Sequence, residues 1–553
     1  MTDFLADFKT EIKSVREATG CCVRCGMRFA GVRDAAAYQM SEEELEAAVR
    51  HVDVDAEGET TAEKIEDHPA SSSPAPAAVY PICLGILQHC VRPSAVDAVA
   101  QMVKDEGYES SDFLLAVALP VQLLLRERGG WLHIQRFQKA STAVAGGGYS
   151  AIGSTRDWRG GGGHNPNNRV ADSFRRHDPS FEKVVDVKDA LRWSMGPALA
   201  KALGMKSVGS SPLTIQITLS HATTDGEHHD MLSKILPPEP KNHGNQWNNN
   251  KRKRYTTSHK GTPIMEYDSI RTVTRALSLE RSDNLLSNSN RFCPPIAPST
   301  PCKVSVTIER SNITLTGRYI KYSRDLPQSP WILEGQRHRQ SSVQECITDV
   351  VNPLYGVSEA KFCSAGREDV DVRMLGTGRP FTLEMVSPKK PYHDVAALEK
   401  AVEMVNACGV IKINELKVCD LSKMSELMKE GEEAHRKDYR CVVHLSRKLT
   451  KEDLATLNET SDLVVQQLTP MRVLHRRTLM VRERTIHRLA AVQLSSRFLQ
   501  LDLTTQAGTY VKEFVHGDFG RTQPNVGSLL GCEADIIQLD VMGLQEFHNG
   551  SYS

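Results

Sequence analysis

Hydrophobic residues recur along the chain with two different periods. From Leu213 to Leu219 they alternate with polar residues, which predicts a half-buried β-strand. A second alternation runs through 304–308 and resumes at 313–315 after a Ser-Asn turn, which predicts a β-hairpin. Residues 92–107 instead show the period of an amphipathic α-helix.

Helix start signals appear repeatedly in the C-terminal half. Ser342 opens a capping box for a helix that we expect to stop near Pro353. A second helix begins at Asp394 and uses Gly409 as its C-cap, and Thr450 opens a third. Strand and helix signals interleave irregularly, which favours an α+β fold over a doubly wound sheet.

Composition marks the domain boundaries. The Pro-rich stretch 293–302 is the expected main boundary, so residues 301–553 form one predicted domain. Ahead of it we predict a Cys-containing segment, 1–100, and a second domain, 101–300. Within the first segment, 41–78 is acidic and then rich in Ser, Pro and Ala, which predicts a disordered insertion.

Bulk composition excludes some classes of protein and favours none of the others. At 553 residues the chain exceeds one hydrophobic core. Lys+Arg and Asp+Glu both number 68, so net charge indicates no partner. No apolar run reaches the roughly 20 residues of a membrane span, and the N-terminus lacks a signal peptide. Thirteen scattered cysteines then predict reduced thiols, hence nucleus and/or cytoplasm.

Two carboxylates stand in one segment that glycines bracket. Between Gly366 and Gly376, the polar residues Asp369, Asp371 and Arg373 alternate with apolar ones. An extended segment would bury the apolar set and present both carboxylates and the arginine on the other side. The segment is either an active site or a solvated edge strand whose charges pair with one another.

This segment resembles the Gly-Arg-Thr-Asp-Ala-Gly-Val-His signature of pseudouridine synthases, and most closely the form in the tRNA pseudouridine synthase 10 family. Further motifs of that family follow in the same order, so the resemblance covers residues 317–531. They lie at 317–331, 378–381, 437–440, 472–477 and 508–522.

The resemblance implies an enzyme that isomerises uridine to pseudouridine at positions 54 and/or 55 of the TΨC loop of tRNA. It implies a pseudouridine synthase fold, with a mixed or antiparallel sheet and flanking helices, and an N-terminal α/β half that contains a THUMP-type RNA-binding domain. Asp369 matches the catalytic aspartate, Tyr439 the tyrosine under the target base, and Lys512 the cation paired with the aspartate. Catalysis needs no organic cofactor.

Other positions match expected substrate contacts. Arg367 resembles the arginine that fills the gap left by the extruded uridine, and Leu529 the apolar residue that closes the pocket. We expect further substrate contacts at Arg373, Arg379, Arg476, Arg477 and Tyr510.

These residue types suit the chemistry. The reaction breaks N1–C1′ and forms C5–C1′, so the base must first leave its stack, which costs a few kcal/mol. The carboxylate must be ionised to attack the sugar or base or to take the 2′ proton. Burial disfavours that charge and a nearby cation, here Lys512, restores it.

Local basicity supports an RNA substrate. Six arginines between 472 and 488 face only Glu483, and a second cluster comprises Arg318, Lys321, Arg324, Arg337 and Arg339. Such clusters neutralise phosphates. The alternative is a solvated helix or strand face. Likewise 251–254 is a nuclear localisation signal, an RNA contact or a solvated loop tip.

Cys22 and Cys25 have the spacing of a zinc site. In the family a second Cys-x-x-Cys precedes Leu-Gly; here Cys83 keeps its second position but Tyr80 replaces the first. The fourth ligand is then His89, Cys90 or Cys21, and the alternative is a set of buried thiols.

We expect a monomer that binds the TΨC arm of tRNA. Two other functions stay open: a pseudouridine synthase acting mainly on other RNAs, and a non-catalytic RNA-binding or processing factor with a degenerate synthase fold. The joint presence of Asp369, Tyr439 and Lys512 argues against the second.

Overall fold

The chain divides into two compact units, Met1–Glu309 and Arg310–Ser553, close to the predicted boundary after the Pro-rich stretch. The boundary predicted at residue 100 falls inside helix Pro93–Glu106, so the segments on either side of it share one unit. The computed structural model describes residues 5–50, 79–144, 179–236, 266–419, 436–475 and 477–545.

The first unit packs helices around a small sheet. Its helices are α1 (Lys9–Thr19), α2 (Val23–Ala30), α3 (Glu42–Arg50), α4 (Ile86–His89), α5 (Pro93–Glu106), α6 (Leu123–Val144), α7 (Val187–Leu203), α8 (His229–Ile235), α9 (Ile270–Leu277) and α10 (Glu280–Ser287). Its strands are β1 (Asp112–Ala118), β2 (Lys206–Ser207), β3 (Leu213–Ser220) and β4 (Lys303–Arg310). In the described residues the strand order is β2-β1-β3-β4, and β1 runs parallel to β2 and β3.

The alternation at 213–219 therefore predicted β3 correctly, and its alternate residues are buried. The acidic stretch departs from prediction at its start. Residues 42–50 form α3 instead of a disordered segment, because Leu45 and Val49 recur at helical spacing and are buried. Residues 51–78 and the basic cluster 251–254 lie outside the described residues. No helix in the described part of the chain is long and apolar enough to cross a bilayer.

The second unit is built on one large sheet. Its strands are β5 (Ile313–Lys321), β6 (Ile332–Leu333), β7 (Gln336–Arg337), β8 (Ala360–Ser364), β9 (Arg373–Met385), β10 (Ile411–Cys419), β11 (Arg436–Leu445), β12 (Ser461–Leu468), β13 (Val481–Gln493), β14 (Phe498–Thr505), β15 (Thr522–Gln523) and β16 (Ala534–Gln545). Over the described residues the sheet has ten strands in the order β10-β5-β9-β16-β11-β14-β13-β12-β15, with β8 on β9. Its pairs are antiparallel except β9 with β16.

The hairpin predicted from the alternation at 304–308 and 313–315 was right in its strands and wrong in their pairing. β4 joins the sheet of the first unit, whereas β5 pairs with β9 and β10. Val306 and Ile308 of β4 pack against the core of the first unit. Alternation identifies a strand but carries no information about its partner, so the Ser-Asn turn is a connection between units.

The helices in the described residues of the second unit are α11 (Val343–Tyr355), α12 (Val395–Asn406), α13 (Lys451–Glu459), α14 (Val511–His516) and α15 (Val526–Leu530). The first three begin where their caps predict. The side chains of Ser342, Asp394 and Thr450 each accept a backbone N–H at the first turn of α11, α12 and α13. α11 continues past Pro353 and ends at Gly356, and α12 ends with Ala407 as its cap instead of Gly409.

The fold brings several chain segments to one end of the central strands. The loop 365–372 joins β8 to β9 and carries the two carboxylates, so this segment is a loop and the strand begins only at Arg373. A short 3₁₀ helix, Met471–Val473, follows β12, and the start of α14 follows β14. These segments form the site described next.

Candidate active site

A cavity of about 570 Å³ lies in the second unit, where the loop 365–372, β11, the 471–473 turn and the start of α14 meet. Its volume is in the range of sites that enclose a small ligand. Cations outnumber acids in its lining: Arg367, Arg379, Lys437, Arg472, Arg477 and Lys512 stand against Glu368 and Asp369. The cavity is thus suited to an anionic molecule.

Asp369 lines this cavity, and its side chain is 36% exposed. Its Oδ2 lies 3.1 Å from Arg472 Nη1 and 3.3 Å from Lys512 Nζ. The structure therefore brings Asp369, Tyr439 and Lys512 into one cavity, as the sequence predicted. It also adds Arg472, which the sequence analysis placed in a family motif and in a basic cluster without giving it a role of its own.

Each of these two cations has a second acidic partner. Lys512 Nζ lies 2.9 and 2.8 Å from the two carboxylate oxygens of Asp371. Arg472 Nε donates to Glu513 at 2.7 Å, and the Glu513 side chain is buried. Partial burial would raise the pKa of Asp371, but the hydrogen bond and charge of Lys512 lower it overall. Asp371 is exposed and does not line the cavity.

Hydrogen bonds from the Lys321 ammonium hold the backbone around Asp369. Lys321 Nζ donates to the carbonyl oxygens of Leu326, Asp369 and Val370 at 2.9, 3.1 and 2.9 Å. Burial lowers the pKa of Lys321 to about 8. We had placed Lys321 in a surface basic cluster, and the structure corrects this: the residue is fully buried. Its position on the inward face of β5 explains the difference.

A second buried group fixes the same loop from its N-terminal side. Glu368 accepts from Arg379 Nε at 2.8 Å and from the Tyr319 hydroxyl at 2.9 and 3.0 Å. Gln328 Nε2 donates to the Tyr319 hydroxyl and to the carbonyl of Gly366. Arg379 also donates to the carbonyl of Ala365. Charged groups so deeply buried require such partners. The sequence analysis did not identify Glu368. It predicted Arg379 as a substrate contact; Arg379 does line the cavity, but its N–H groups donate to Glu368 and to the Ala365 carbonyl within the loop.

Aromatic rings form part of the cavity wall. Tyr439 projects from β11, and burial raises its pKa to about 12, so the phenol is neutral near pH 7. Tyr510 also lines the cavity, and its backbone is fixed by the buried side chain of Gln467, which both donates to its carbonyl and accepts from its N–H. Such a wall suits a planar ligand.

The remaining predicted contacts divide into two groups. Arg367 and Arg477 line the cavity and are exposed, whereas Arg476 lies outside the described residues. Arg373 does not line it, because Asp540 holds its guanidinium at 2.5 and 3.0 Å. Three other members of the second basic cluster are likewise paired with acids: Arg324 with Asp540, Arg337 with Glu345, and Arg339 with Asp325.

Leu529 does not close the cavity. It lies on α15 and packs against the core of the second unit. The apolar part of the lining is supplied instead by Leu539 and Val541 of β16 together with Val372, Val473 and Val511. A leucine on a short helix and one on a strand look alike in sequence. The signal that could have identified Leu539 and Val541 as lining residues was the alternation along β16, which places both side chains on the same face.

Three predicted metal ligands converge in the first unit. The sulfur atoms of Cys22, Cys25 and Cys83 lie within 4.8 Å of one another, and Cys22 Sγ is 3.9 Å from Cys83 Sγ. Hydrogen bonds from the Cys22 and Cys25 thiols hold the pKa of Cys83 well below its usual value. Among the described residues, His89, Cys90 and Cys21 do not join this group.

Comparisons with known proteins identify the family of the chain. A model described as "Pus10, C-terminal" matches residues 314–545, and one described as "Eukaryotic Pus10, N-terminal" matches 81–147 and 173–308. A tRNA pseudouridine synthase Pus10 from Xenopus laevis is 32% identical, over 96% of this chain and 96% of its own. The Homo sapiens protein of that name is 31% identical, over 95% and 94%. A solved Cbf5-Nop10-Gar1 complex is similar over 41% of this chain and 48% of that one, at 16% identity and a TM-score of 0.23, too low to argue from.

The basic, aromatic-walled cavity and the family matches define the class of the protein: it is a pseudouridine synthase, an intramolecular isomerase. Within that class the chain belongs to the Pus10 family, since the two family models together span most of its length.

Proposed function

We propose that this protein isomerises uridine to pseudouridine in tRNA, at position 54 and/or 55 of the TΨC loop. The observation that carries the proposal is the Asp369 carboxylate, held between two cations in a cavity that Tyr439 and Tyr510 also line. The relatives named as tRNA pseudouridine synthases support the choice of RNA.

The reaction requires one ionised carboxylate next to the sugar of an everted nucleotide. The N1–C1′ bond breaks, the base turns, and C5–C1′ forms; the C5 proton is lost and N1 gains a proton, so the atoms balance without a co-reactant. Asp369 attacks the sugar or base, or takes the 2′ proton. Lys512 and Arg472 pair with the carboxylate, and the tyrosine rings replace the stacking that the base loses.

The cationic lining suits the phosphates on either side of the target. Arg367 and Arg477 are exposed at the cavity, where they can contact phosphates or, in the case of Arg367, enter the space left by the uridine. Leu539 and Val541 close the apolar side. We propose that the protein acts as a monomer in the nucleus and/or cytoplasm and that catalysis uses no cofactor.

We further propose that Cys22, Cys25 and Cys83 bind a structural Zn²⁺. In a tetrahedral site with Zn–S bonds of about 2.3 Å, sulfur atoms lie roughly 3.8 Å apart, close to the 3.9 Å between Cys22 and Cys83. The Leu87 N–H also donates to Cys83, a contact that stabilises a thiolate ligand. Three thiolates fit the ion, with the fourth position left to a ligand outside this group.

The decisive experiment maps pseudouridine in an unmodified tRNA transcript after incubation with the protein. Wild-type protein should convert uridine 54, 55 or both. Asp369→Asn should make no pseudouridine and bind the transcript within a few fold of wild type. Activity in Asp369→Asn would contradict the assignment of the catalytic carboxylate.

Asp371→Asn is the matched control. It changes the same chemical group two residues away on the same loop, and that group also contacts Lys512, but it lies outside the cavity lining. It should lose far less activity than Asp369→Asn. An equal loss in both variants would show that the choice between the two carboxylates has no basis. Conversion of other RNAs but not of the tRNA transcript would favour a different substrate.

A further inference from the structure

Phe519 is the most exposed large hydrophobic residue of the described chain, with 96% of its surface open to solvent. It therefore stabilises no core. An exposed aromatic ring indicates a function when the backbone that carries it is held in a fixed conformation.

The backbone at Phe519 has an unfavourable conformation for this residue type. Phe519 has φ 57° and ψ 35°, and Asp518 has φ 48° and ψ 53°, between Gly517 and Gly520, which also have positive φ. A bulky side chain disfavours this left-handed region, which asparagine and glycine adopt more easily. The sequence thus keeps an aromatic ring where another residue would fit the backbone better, and such positions concentrate at functional sites.

The turn is anchored to the wall of the active-site cavity. The buried Asp518 accepts the backbone N–H of Met471 at 3.1 Å. Met471 begins the 3₁₀ helix whose next two residues, Arg472 and Val473, line the cavity. The turn also directly follows α14, which carries Lys512. The turn that carries Phe519 is therefore joined to two segments that line the cavity.

Exposed apolar side chains and half-buried arginines lie near this turn. Met471, Leu479 and Met480 are at least half exposed. The nearby strands are joined to the turn by Arg521, which donates to the carbonyl of Thr469, while Arg482 donates to the Thr469 hydroxyl. A surface that combines an aromatic face with arginines continues the cationic cavity, and this combination is typical of single-stranded nucleic-acid binding.

We propose that Phe519 forms a base-stacking subsite for an unpaired nucleobase of the RNA strand that flanks the everted uridine. The proposal rests on the proposed function of the cavity. The ring of Phe519 receives the base, and the neighbouring arginines contact the adjacent phosphates. The energetic cost of the left-handed turn is then offset when RNA binds.

The test compares Phe519→Leu, Phe519→Asn and Phe519→Tyr in the full chain, with an unmodified tRNA transcript as the probe. Loss of stacking on one base should weaken binding by about 5- to 100-fold. Phe519→Leu and Phe519→Asn should raise KM by that factor and leave the rate at saturating RNA nearly unchanged. Phe519→Tyr should restore binding. Phe519→Asn should be no less stable to heat than wild type, since asparagine accepts the turn.

Leu494→Asn is the matched control, because Leu494 is 53% exposed and follows the far end of β13, away from the cavity. It should bind RNA like wild type. Wild-type affinity in Phe519→Leu, with pseudouridine still formed, would overturn the subsite alone and leave a protein partner to explain the ring. If wild-type protein forms no pseudouridine in the transcript, the proposed function fails, and the subsite fails with it.

Discussion

The buried pair of Glu368 and Arg379 offers a quantitative test of how the loop 365–372 is held. Their side chains are 1% and 4% exposed, and Glu368 immediately precedes Asp369. Glu368→Gln keeps the shape and an acceptor for Tyr319 but removes the charge. Arg379 would then be a buried cation without a counter-ion, which costs about 3–5 kcal/mol.

That loss should be visible in both stability and activity. In a domain of this size each kcal/mol lowers Tm by about 2–4 °C, so the variant should melt about 6–20 °C lower. Asp369 would also lose its fixed position, and a displacement near 1 Å reduces turnover by about 100-fold. Circular dichroism melting measures the first effect. Tritium release from a transcript labelled at uridine C5 measures the second.

Asp502→Asn is the matched control for the pair. Arg440 and Asp502 make two hydrogen bonds of 2.8 and 2.9 Å on the same sheet, but both side chains are more than a third exposed. Exposed pairs contribute about 0–1 kcal/mol, so this variant should melt within about 4 °C of wild type. If Glu368→Gln melted in the same range and kept full turnover, the buried pair would not be what holds the loop.

Two further predictions concern Lys321 and the cysteine cluster. The Lys321 ammonium offers three N–H groups to three carbonyls, whereas the neutral amine has only two. Turnover should therefore fall as the pH rises through about 8. Lys321→Met should be slow at pH 7 and should not show this fall. The pKa of Lys321 in the folded protein lies below the 10.5 of an ordinary lysine, so its contribution to stability should rise between pH 8 and 10.5. If Tm instead fell across that window in parallel with turnover, unfolding and not loss of the loop contact would explain the pH profile. Elemental analysis of the purified protein should find one equivalent of zinc. Cys22→Ser should lose the zinc, whereas Cys90→Ser should keep it, because Cys90 is buried but lies outside the cluster. Equal zinc content in the two variants would contradict the site.

Local signals in the sequence were sufficient for three helices of the second unit and for part of the site. A side-chain cap acts on N–H groups two or three residues away, so Ser342, Asp394 and Thr450 were identifiable without any tertiary information. The same holds for the glycine-edged loop around Asp369. The zinc spacing of Cys22 and Cys25 is also local, and Cys83 required only the resemblance to a family motif.

Contacts between distant strands could not be predicted in this way. Lys321 stands three residues from Arg318 and from Arg324 and looks like a surface residue in the sequence. Only the pairing of β5 shows that its side chain is buried and bonds to the loop. Glu368 stands between Arg367 and Asp369 and offers no pattern that distinguishes a buried acid from an exposed one. The wrong prediction that Leu529 closes the cavity has the same cause. Only the sheet determines that Leu539, and not Leu529, faces the cavity.

The arrangement of charge around Asp369 explains how its carboxylate is paired with cations and still accessible from the cavity. Five groups alternate in sign along one path: Asp371, Lys512, Asp369, Arg472 and Glu513. Each cation is tied to an outer acid, so neither is free to enclose Asp369 completely, and the carboxylate keeps 36% of its surface open toward the cavity. Because these partners are in place before RNA arrives, the charge needed for the reaction does not have to be assembled during it. The same geometry accounts for the different expected effects of changing Asp369 and Asp371: one is at the centre of the path and faces the cavity, and the other only positions a cation.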